Sequence, residues 1–223
     1  MAHEVLAAVL QVRSDTLQVL LWRRALDPHI GRWSLPGGRL RPDEDVETSI
    51  RRQLAEKVDV KQLKHVEQLA VFSTPDRVPG PRVVATAFLG LVPSDVDPEV
   101  PEDTSWHRVD ELPRTAFDHA EIVLRARDRL RSKLSYTNLG FALAPDVFTI
   151  SELRGLYSAA LGYRISATNL QRVLARRGLL EPTGETAPSG RSGGRPAAVF
   201  SFGCKGIQVT DPFAVLRPPP AAR

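Results

Sequence analysis

A glycine pair followed at fixed spacing by a short charged helix constrains this chain more than any other stretch. Gly37-Gly38 is followed by Glu44 and then by Arg52, Leu54 and Glu56, which gives the pattern G-x5-E-x7-R-x-L-x-E. Two glycines suit a tight turn, because glycine enters positive φ without steric cost. Asp43 or Asp45 can cap a helix running to about Lys57. Val46, Ile50 and Leu54 fall at i, i+4 and i+8 and form its buried stripe. The segment therefore reads as strand, glycine turn, helix. Glu44 and Arg52 are placed to form an ion pair that fixes the turn onto the helix. Gln53, Glu56 and Lys57 share one helical face. Three carboxylates on such a face could hold Mg²⁺, which requires anionic oxygens in near-octahedral geometry. Here only Glu56 is a carboxylate, Gln53 offers a neutral carbonyl, and Lys57 offers a cation that can pair with Glu56.

Around this segment the pattern is mixed. Val5–Val12 and Leu17–Arg23 read as strands joined by a turn at Arg13-Ser14-Asp15. Leu26–Trp33 is loop. Val66–Phe72 and Arg82–Val92 read as strands around the Pro/Gly loop Thr74–Pro81, and Ser105–Val109 as a short strand. Asp118 or His119 opens a long helix to about Tyr136, with Ile122, Leu130 and Leu134 inward. After Ala144-Pro145 the character changes. Thr149 or Ser151 caps a helix through Leu161, ended by Gly162. Ser166 caps a second helix over Ala167–Arg177, with Leu170, Val173 and Leu174 inward, ended by Gly178. Leu179–Glu181 and Ala197–Phe202 read as strands separated by Pro182–Pro196, rich in Gly, Ser and Arg. Helix, turn, helix and a hairpin with a long basic tip is the layout of a winged helix. The proline-rich tail Arg217–Arg223 reads as disordered.

Charge divides the same way. Residues 151–223 carry ten Lys/Arg against four Asp/Glu, a balance of +6, while residues 1–150 carry twenty against twenty-two, a balance of −2. A basic second half suits a nucleic-acid-binding appendage, or a solvated basic surface without a partner. No apolar run approaches the ~20 residues of a membrane span, and the start Met1-Ala2-His3-Glu4 lacks the basic region of a secretory signal. The single cysteine, Cys204, excludes an internal disulfide and a cysteine metal cluster. A reducing, cytoplasmic setting fits.

The glycine–helix frame has the spacing of the Nudix box, and Trp106-His107-Arg108-Val109-Asp110-Glu111-Leu112-Pro113 resembles the closing strand of that fold. A working box has Glu at the positions of Gln53 and Lys57, and Gly at that of Asp59. Several further stretches are similar to the Nudix-related transcriptional regulators (NrtR) of bacterial NAD metabolism: Ala116–Ile122, Arg129–Thr137, Phe148–Leu153, Gly178–Glu185 and Gly194–Ala197. The resemblance spans about residues 4–203. It implies an α+β chain, a Nudix-like α/β/α sandwich followed by a winged helix-turn-helix domain. The expected division is a ligand-sensing domain over 1–135, a linker over 136–146 and a DNA-binding domain over 147–223. The implied function is a homodimeric repressor of NAD biosynthesis or salvage genes. It would bind a palindromic double-stranded operator and sense ADP-ribose or a related NAD metabolite, with no cofactor, no metal and no catalytic residues. The alternative is a Nudix-type ADP-ribose or nucleotide pyrophosphatase with a basic accessory domain, against which Gln53 and Lys57 argue.

The resemblance suggests a ligand cleft lined by the box and neighbouring strands, with Arg24, Arg39 and Arg82 meeting a pyrophosphate and Phe72 stacking on adenine. Glu56 and Lys57 belong to the same site. Lys57 puts positive charge where metal ions would sit, which suits either a cation-free hold on a pyrophosphate or a solvated surface lysine. His119 is either a ligand contact or a satisfied structural histidine. On the second C-terminal helix, Thr168, Asn169, Gln171, Arg172 and Arg176 form the exposed face, and Asn, Gln and Arg make paired hydrogen bonds to base edges. Arg177, Arg191 and Arg195 are placed to meet phosphates; ordinary solvated arginines are the alternative. The run Arg125–Lys133 reads as a solvated face, an added phosphate contact or part of a dimer seam.

Overall fold

The structure is a computed structural model and describes residues 2–58, 62–188 and 196–211. It falls into two compact units, Met1–Arg129 and Leu130–Arg223. Among the described residues, no helix is long and apolar enough to cross a membrane.

The first unit is built on β1 (Ala2–Arg13), β2 (Thr16–Arg23), β3 (Trp33–Ser34), β4 (Gly37–Arg39), β5 (His65–Phe72), β6 (Val83–Leu91) and β7 (Thr104–Arg108). The sheet order is β3-β2-β1-β6-β5, with β4 also on β1 and β7 also on β2. β1 and β2 form a hairpin through Ser14 and Asp15, both at positive φ. Such a two-residue turn matches the right-handed twist of the strands. β1 runs parallel to β6 from Ala2 to Leu10. Its residues from Val5 to Leu10 are buried at odd and even positions alike, so both faces of this central strand are covered.

Along its other edge β1 changes partner. Glu4–Leu6 pair with β4, and Leu10–Arg13 pair with β2. The sheet opens between these partners, and that opening positions the cleft described below. The α1 helix (Val46–Val58) lies over it. Asp45 accepts from the Thr48 amide at 2.7 Å, so it is Asp45 that caps. Ile50, Leu54 and Val58 pack with Val5, Ala7, Val9, Leu20, Phe88 and Val92. Burial of a side chain such as Ile50 or Leu54 contributes about 1.5–3 kcal/mol.

The α2 helix (His119–Tyr136) begins in the first unit and ends in the second. Arg129 donates to the Leu69 carbonyl and approaches Glu67, while Arg125 lies over the Phe72 ring.

In the second unit, β8 (Phe148–Thr149) leads into α3 (Ile150–Leu161) and α4 (Ala167–Arg176), and β9 (Leu180–Ala187) and β10 (Ala197–Phe202) form the wing. Thr149 and Glu152 cap α3 reciprocally, each satisfying one orphan amide at the helix start. Gly162 ends α3 at φ 82. Leu153, Leu156, Tyr157 and Ala160 of α3 are buried, with Leu170 and Leu174 of α4.

Three features differ from the sequence reading. β9 continues to Ala187, where a loop from Pro182 was expected. The strand order is β8-β10-β9, so β9 is an edge strand, and an edge tolerates a proline that has no amide to donate. The register shift between Ala198 and Phe200 absorbs extra β9 residues around Gly184, which sits at φ 82. β8, not foreseen as a strand, closes the sheet on the other side of β10. Residues 137–144, expected as linker, are buried throughout. Their polar groups explain it: Asn138 donates to the Gly206 carbonyl at 2.8 Å and accepts from the Gln208 amide at 2.7 Å, and the Thr210 amide donates to the Tyr136 carbonyl. The chain after the wing thus returns to the end of α2. Asp59, Arg191, Arg195 and the tail Arg217–Arg223 lie outside the described residues.

Candidate functional site

The opening between β2 and β4 is a cleft of about 340 Å³. Glu4 and Leu6 line it from β1, Trp22 from β2, Gly37, Gly38 and Arg39 from β4, and Lys57 from α1; Arg24 and Leu26 come from the loop after β2, and Phe117 and His119 from the start of α2. The glycine pair is required by close approach. Gly37 has φ 154, and a Cβ there would lie 2.9 Å from the Leu6 Cα. A Cβ on Gly38 would lie 2.7 Å from Gln53 Nε2. A larger residue at 37 would push β4 off the β1 backbone, and one at 38 would displace the Gln53 amide.

Each box residue has a defined place. Glu44 accepts from Arg52 Nε at 2.9 Å and Nη2 at 2.6 Å. The Arg52 guanidinium holds the Glu44 carboxyl down at about 2. The ion pair expected from spacing is present. Arg52 also reaches Glu56 at 3.0 Å, and Arg41 approaches it at 4.0 Å. Glu56 therefore points away from Lys57, and the Lys57–Glu56 pair considered from sequence does not form. Lys57 instead donates to the Gly37 carbonyl at 2.5 Å and lies 5.2 Å from the Trp22 ring centroid. Burial lowers its pKa, with the nearby Arg52 charge adding to the effect. Gln53 is buried beneath Gly38; its Nε2 is 3.5 Å from the Arg39 carbonyl and its Oε1 has no hydrogen-bond partner.

These residues do not fit a divalent cation. Glu44 and Glu56 are both bound to Arg52, Gln53 is covered, and Lys57 brings a like charge. Among the described residues, no group of three His, Cys, Asp or Glu side chains is arranged to hold a metal.

The remaining cleft residues are preset. Arg24 donates to the Pro28 carbonyl at 3.1 Å and lies over the Phe117 ring at 4.8 Å. Arg39 is exposed at the rim. His119 is buried and its Nδ1 accepts the Leu35 amide at 3.0 Å. Its proton therefore sits on Nε2. Burial pushes its pKa down to about 3, so the ring stays neutral at physiological pH. The structural reading of His119 accounts for its Nδ1, and the residue also lines the cleft.

Sequence reasoning missed Glu4, Trp22, Phe117 and Arg77. Arg77, in the loop before β6, is 1% exposed and bonds Asp118 through two nitrogens at 2.8 and 2.6 Å, with Glu4 at 3.4 Å. It joins that loop to β1 and to the start of α2. A lone arginine in a Pro/Gly loop carries no periodic signal, and its partner lies 41 residues away.

Two expected ligand residues are not brought to the cleft. Phe72 is buried on β5 beneath Arg125. Arg82 donates to the Ser73 carbonyl at 3.1 Å. Phe72 belongs to the edge strand remote from β2, because β1 and β6 intervene, whereas Arg82 directly precedes β6 and its carbonyl accepts the Ala2 amide, but its guanidinium is turned to Ser73 and not to the cleft. Glu56 also lies outside the cleft lining.

On α4, Thr168, Asn169, Gln171, Arg172 and Arg176 are all exposed. Arg172 donates to Asn169 Oδ1 at 2.8 Å, which sets the two side chains together one turn apart. Arg177 is different: its guanidinium is 13% exposed and bonds the Ser135 carbonyl at 2.7 Å and Asp211 at 3.3 Å. Those bonds hold it inside the unit, so the phosphate contact expected of it is corrected. The α2 arginines are similarly engaged. Arg125 pairs with Glu121, Arg127 with Asp128, and Arg131 donates to the Ala160 carbonyl.

This fold and these sites define a two-part regulator class, a Nudix domain with a cationic cleft followed by a winged helix presenting a polar helix face. Comparison with known proteins agrees: the profile of the NUDIX domain matches residues 2–126, and that of the NrtR DNA-binding winged helix domain matches residues 140–202. The chain belongs to the NrtR family. It is 28% identical over 202 residues to the ADPR responsive transcriptional repressor NtrR of Acinetobacter baylyi, covering 87% of this chain and 79% of that protein. It is 30% identical to Shewanella oneidensis NrtR in a crystal structure complexed with a 27mer DNA, with TM-score 0.75 over 89% of this chain and 92% of that one. The NUDIX domain of the same Shewanella protein, in a cocrystal structure with ADP ribose, is 31% identical, with TM-score 0.51 over 57% of this chain and 87% of that one.

Proposed function

We propose that this protein is a transcriptional repressor of NAD biosynthesis or salvage genes whose Nudix domain senses ADP-ribose without hydrolysing it. The observation that carries this reading is the cleft itself. Lys57, Arg24 and Arg39 line it together with Glu4 and Asp27, a balance of one positive charge beside aromatic rings; Arg77 approaches Glu4 from outside the lining, and no metal-binding carboxylate cluster accompanies them among the described residues. Three cationic side chains beside aromatic rings suit a diphosphate flanked by ribose and adenine. The aromatic lining from Trp22 and Phe117 supplies surfaces for the rings, and His119 Nε2–H supplies a donor.

Functionally, a sensing domain over 1–135 is followed by a DNA-binding domain over 147–223, and the stretch between them, expected as a linker over 136–146, packs with the second unit through residues 137–144. Thr168, Asn169, Gln171, Arg172 and Arg176 enter a major groove and read base edges. Arg191 and Arg195, which fall between β9 and β10 in sequence, meet phosphates. A palindromic operator requires a homodimer, and the protein works in the cytoplasm. The relatives named for ADPR responsiveness and solved with DNA support the reading.

The test pairs two assays on the full chain. Fluorescence anisotropy should show binding to DNA from upstream of the regulated NAD gene at least about 10³-fold tighter than to scrambled DNA. AMP release from ADP-ribose with Mg²⁺ or Mn²⁺ should remain far below roughly 1 s⁻¹, the lower edge of ordinary enzyme turnover. Turnover above that rate with no DNA preference would replace this reading with the pyrophosphatase.

A further inference from the structure

The cleft poses a chemical problem. A diphosphate diester brings two negative charges into a partly buried site, where unpaired charge is costly. The helix that would meet this cost with metal ions has Gln53, Glu56 and Lys57 instead. Glu56 points to Arg52 and Arg41. Gln53 lies beneath Gly38. Lys57 alone of the three lines the cleft.

We propose that Lys57 takes the place of the divalent cation, so that the diphosphate binds directly to its ammonium and binding is independent of metal. This rests on the reading of the cleft as an ADP-ribose site and specifies how the charge is met. Three observations support it. The ammonium is anchored, since the Gly37 carbonyl and the Trp22 ring hold it at the mouth of the glycine turn. An ammonium has three protons, so the bond to Gly37 leaves donors for phosphate oxygens. It is also poorly solvated in the free protein, because burial lowers its pKa, and an incoming dianion restores the charged form's stabilisation. Arg24 and Arg39 line the same cleft, whose acidic residues are Asp27 and Glu4, the latter partly neutralised by Arg77. The metal-holding face of the helix has thus become a fixed positive charge.

The test is isothermal calorimetry of the full chain with ADP-ribose, in EDTA and in excess Mg²⁺. The expected Kd is the same in both, within about twofold. Lys57→Gln should weaken binding in EDTA by roughly ten- to a hundredfold, the loss of one charge-assisted hydrogen bond, with no rescue by Mg²⁺. Lys57→Glu should weaken it at least as far in EDTA and recover in part with Mg²⁺ or Mn²⁺, because it places a carboxylate at the cleft beside the diphosphate. Lys57→Arg should retain most of the affinity. Circular dichroism melts check that the variants fold, and the comparison on the unmodified chain needs no variant. Binding by the unmodified chain that disappears in EDTA and returns with Mg²⁺ overturns the substitution while leaving ADP-ribose as the ligand. Absence of binding under both conditions overturns the ligand and the substitution together. Equal binding with an unaffected Lys57→Gln overturns the role of Lys57 alone.

Discussion

Operator affinity should fall by on the order of 10³-fold or more between about 50 and 200 mM salt. The reason is counterion release: each phosphate neutralised by Lys or Arg frees condensed cations, and the gain shrinks as bulk salt rises. Residues 151–223 carry a balance of +6. Arg172 and Arg176 are exposed on α4, and the proposed dimer would present each of them twice. Arg177 should contribute little to the slope, because Ser135 and Asp211 already hold its guanidinium. Anisotropy titrations across the salt range measure the slope directly. A flat response would mean that the basic half of the chain is not a DNA face.

Arg77→Ala should lower the stability of the first unit by about 3–5 kcal/mol, the usual consequence of removing one partner from a buried ion pair. The Arg77 side chain is 1% exposed and Asp118 is 17% exposed. Without Arg77, Asp118 remains largely desolvated with its charge unmet. At roughly 2–4 °C per kcal/mol for a chain of this size, the transition should drop by about 10 °C. Glu4, which approaches Arg77 at 3.4 Å, would also lose its neutralising neighbour. Because Glu4 lines the cleft, ADP-ribose binding should weaken as well. The double variant Arg77→Met with Asp118→Leu should regain much of the stability, since it removes both charges and keeps volume. Thermal melts of the three proteins decide the matter. An Arg77→Ala protein that melts with the unmodified one would show that the network contributes little.

Local chemistry made much of this fold legible. The Gly37-Gly38 turn, the Asp45 cap, the Glu44–Arg52 pair and the stripe through Ile50 and Leu54 depend on residues within about one or two helical turns of each other. The same holds for Thr149 and Glu152 at the start of α3, and for Ser166 before α4. What failed was of two kinds. Pro182 and Gly184 looked like the end of a strand, yet an edge position and a register shift let β9 pass through both. Strand order was hidden altogether. Phe72 follows the box by a modest sequence distance, but β6 and β1 separate β5 from the cleft side of the sheet, and Arg82, just before β6, is turned to the Ser73 carbonyl. Conversely, Glu4, Trp22 and Phe117 meet in the cleft from distant parts of the chain. Nothing in their local patterns distinguishes them from ordinary strand and loop residues.

A cleft and a recognition helix that serve one ligand-responsive regulator must be thermodynamically linked. Operator binding should be titrated by anisotropy at fixed salt, with and without saturating ADP-ribose. The predicted result is a change in operator Kd of about 5- to 150-fold, the usual range of coupling between sites. Because binding free energies are reciprocal, calorimetry with and without operator should show ADP-ribose affinity shifting by the same factor. Superimposable operator curves at saturating ADP-ribose, from a protein that binds both ligands, would contradict the account.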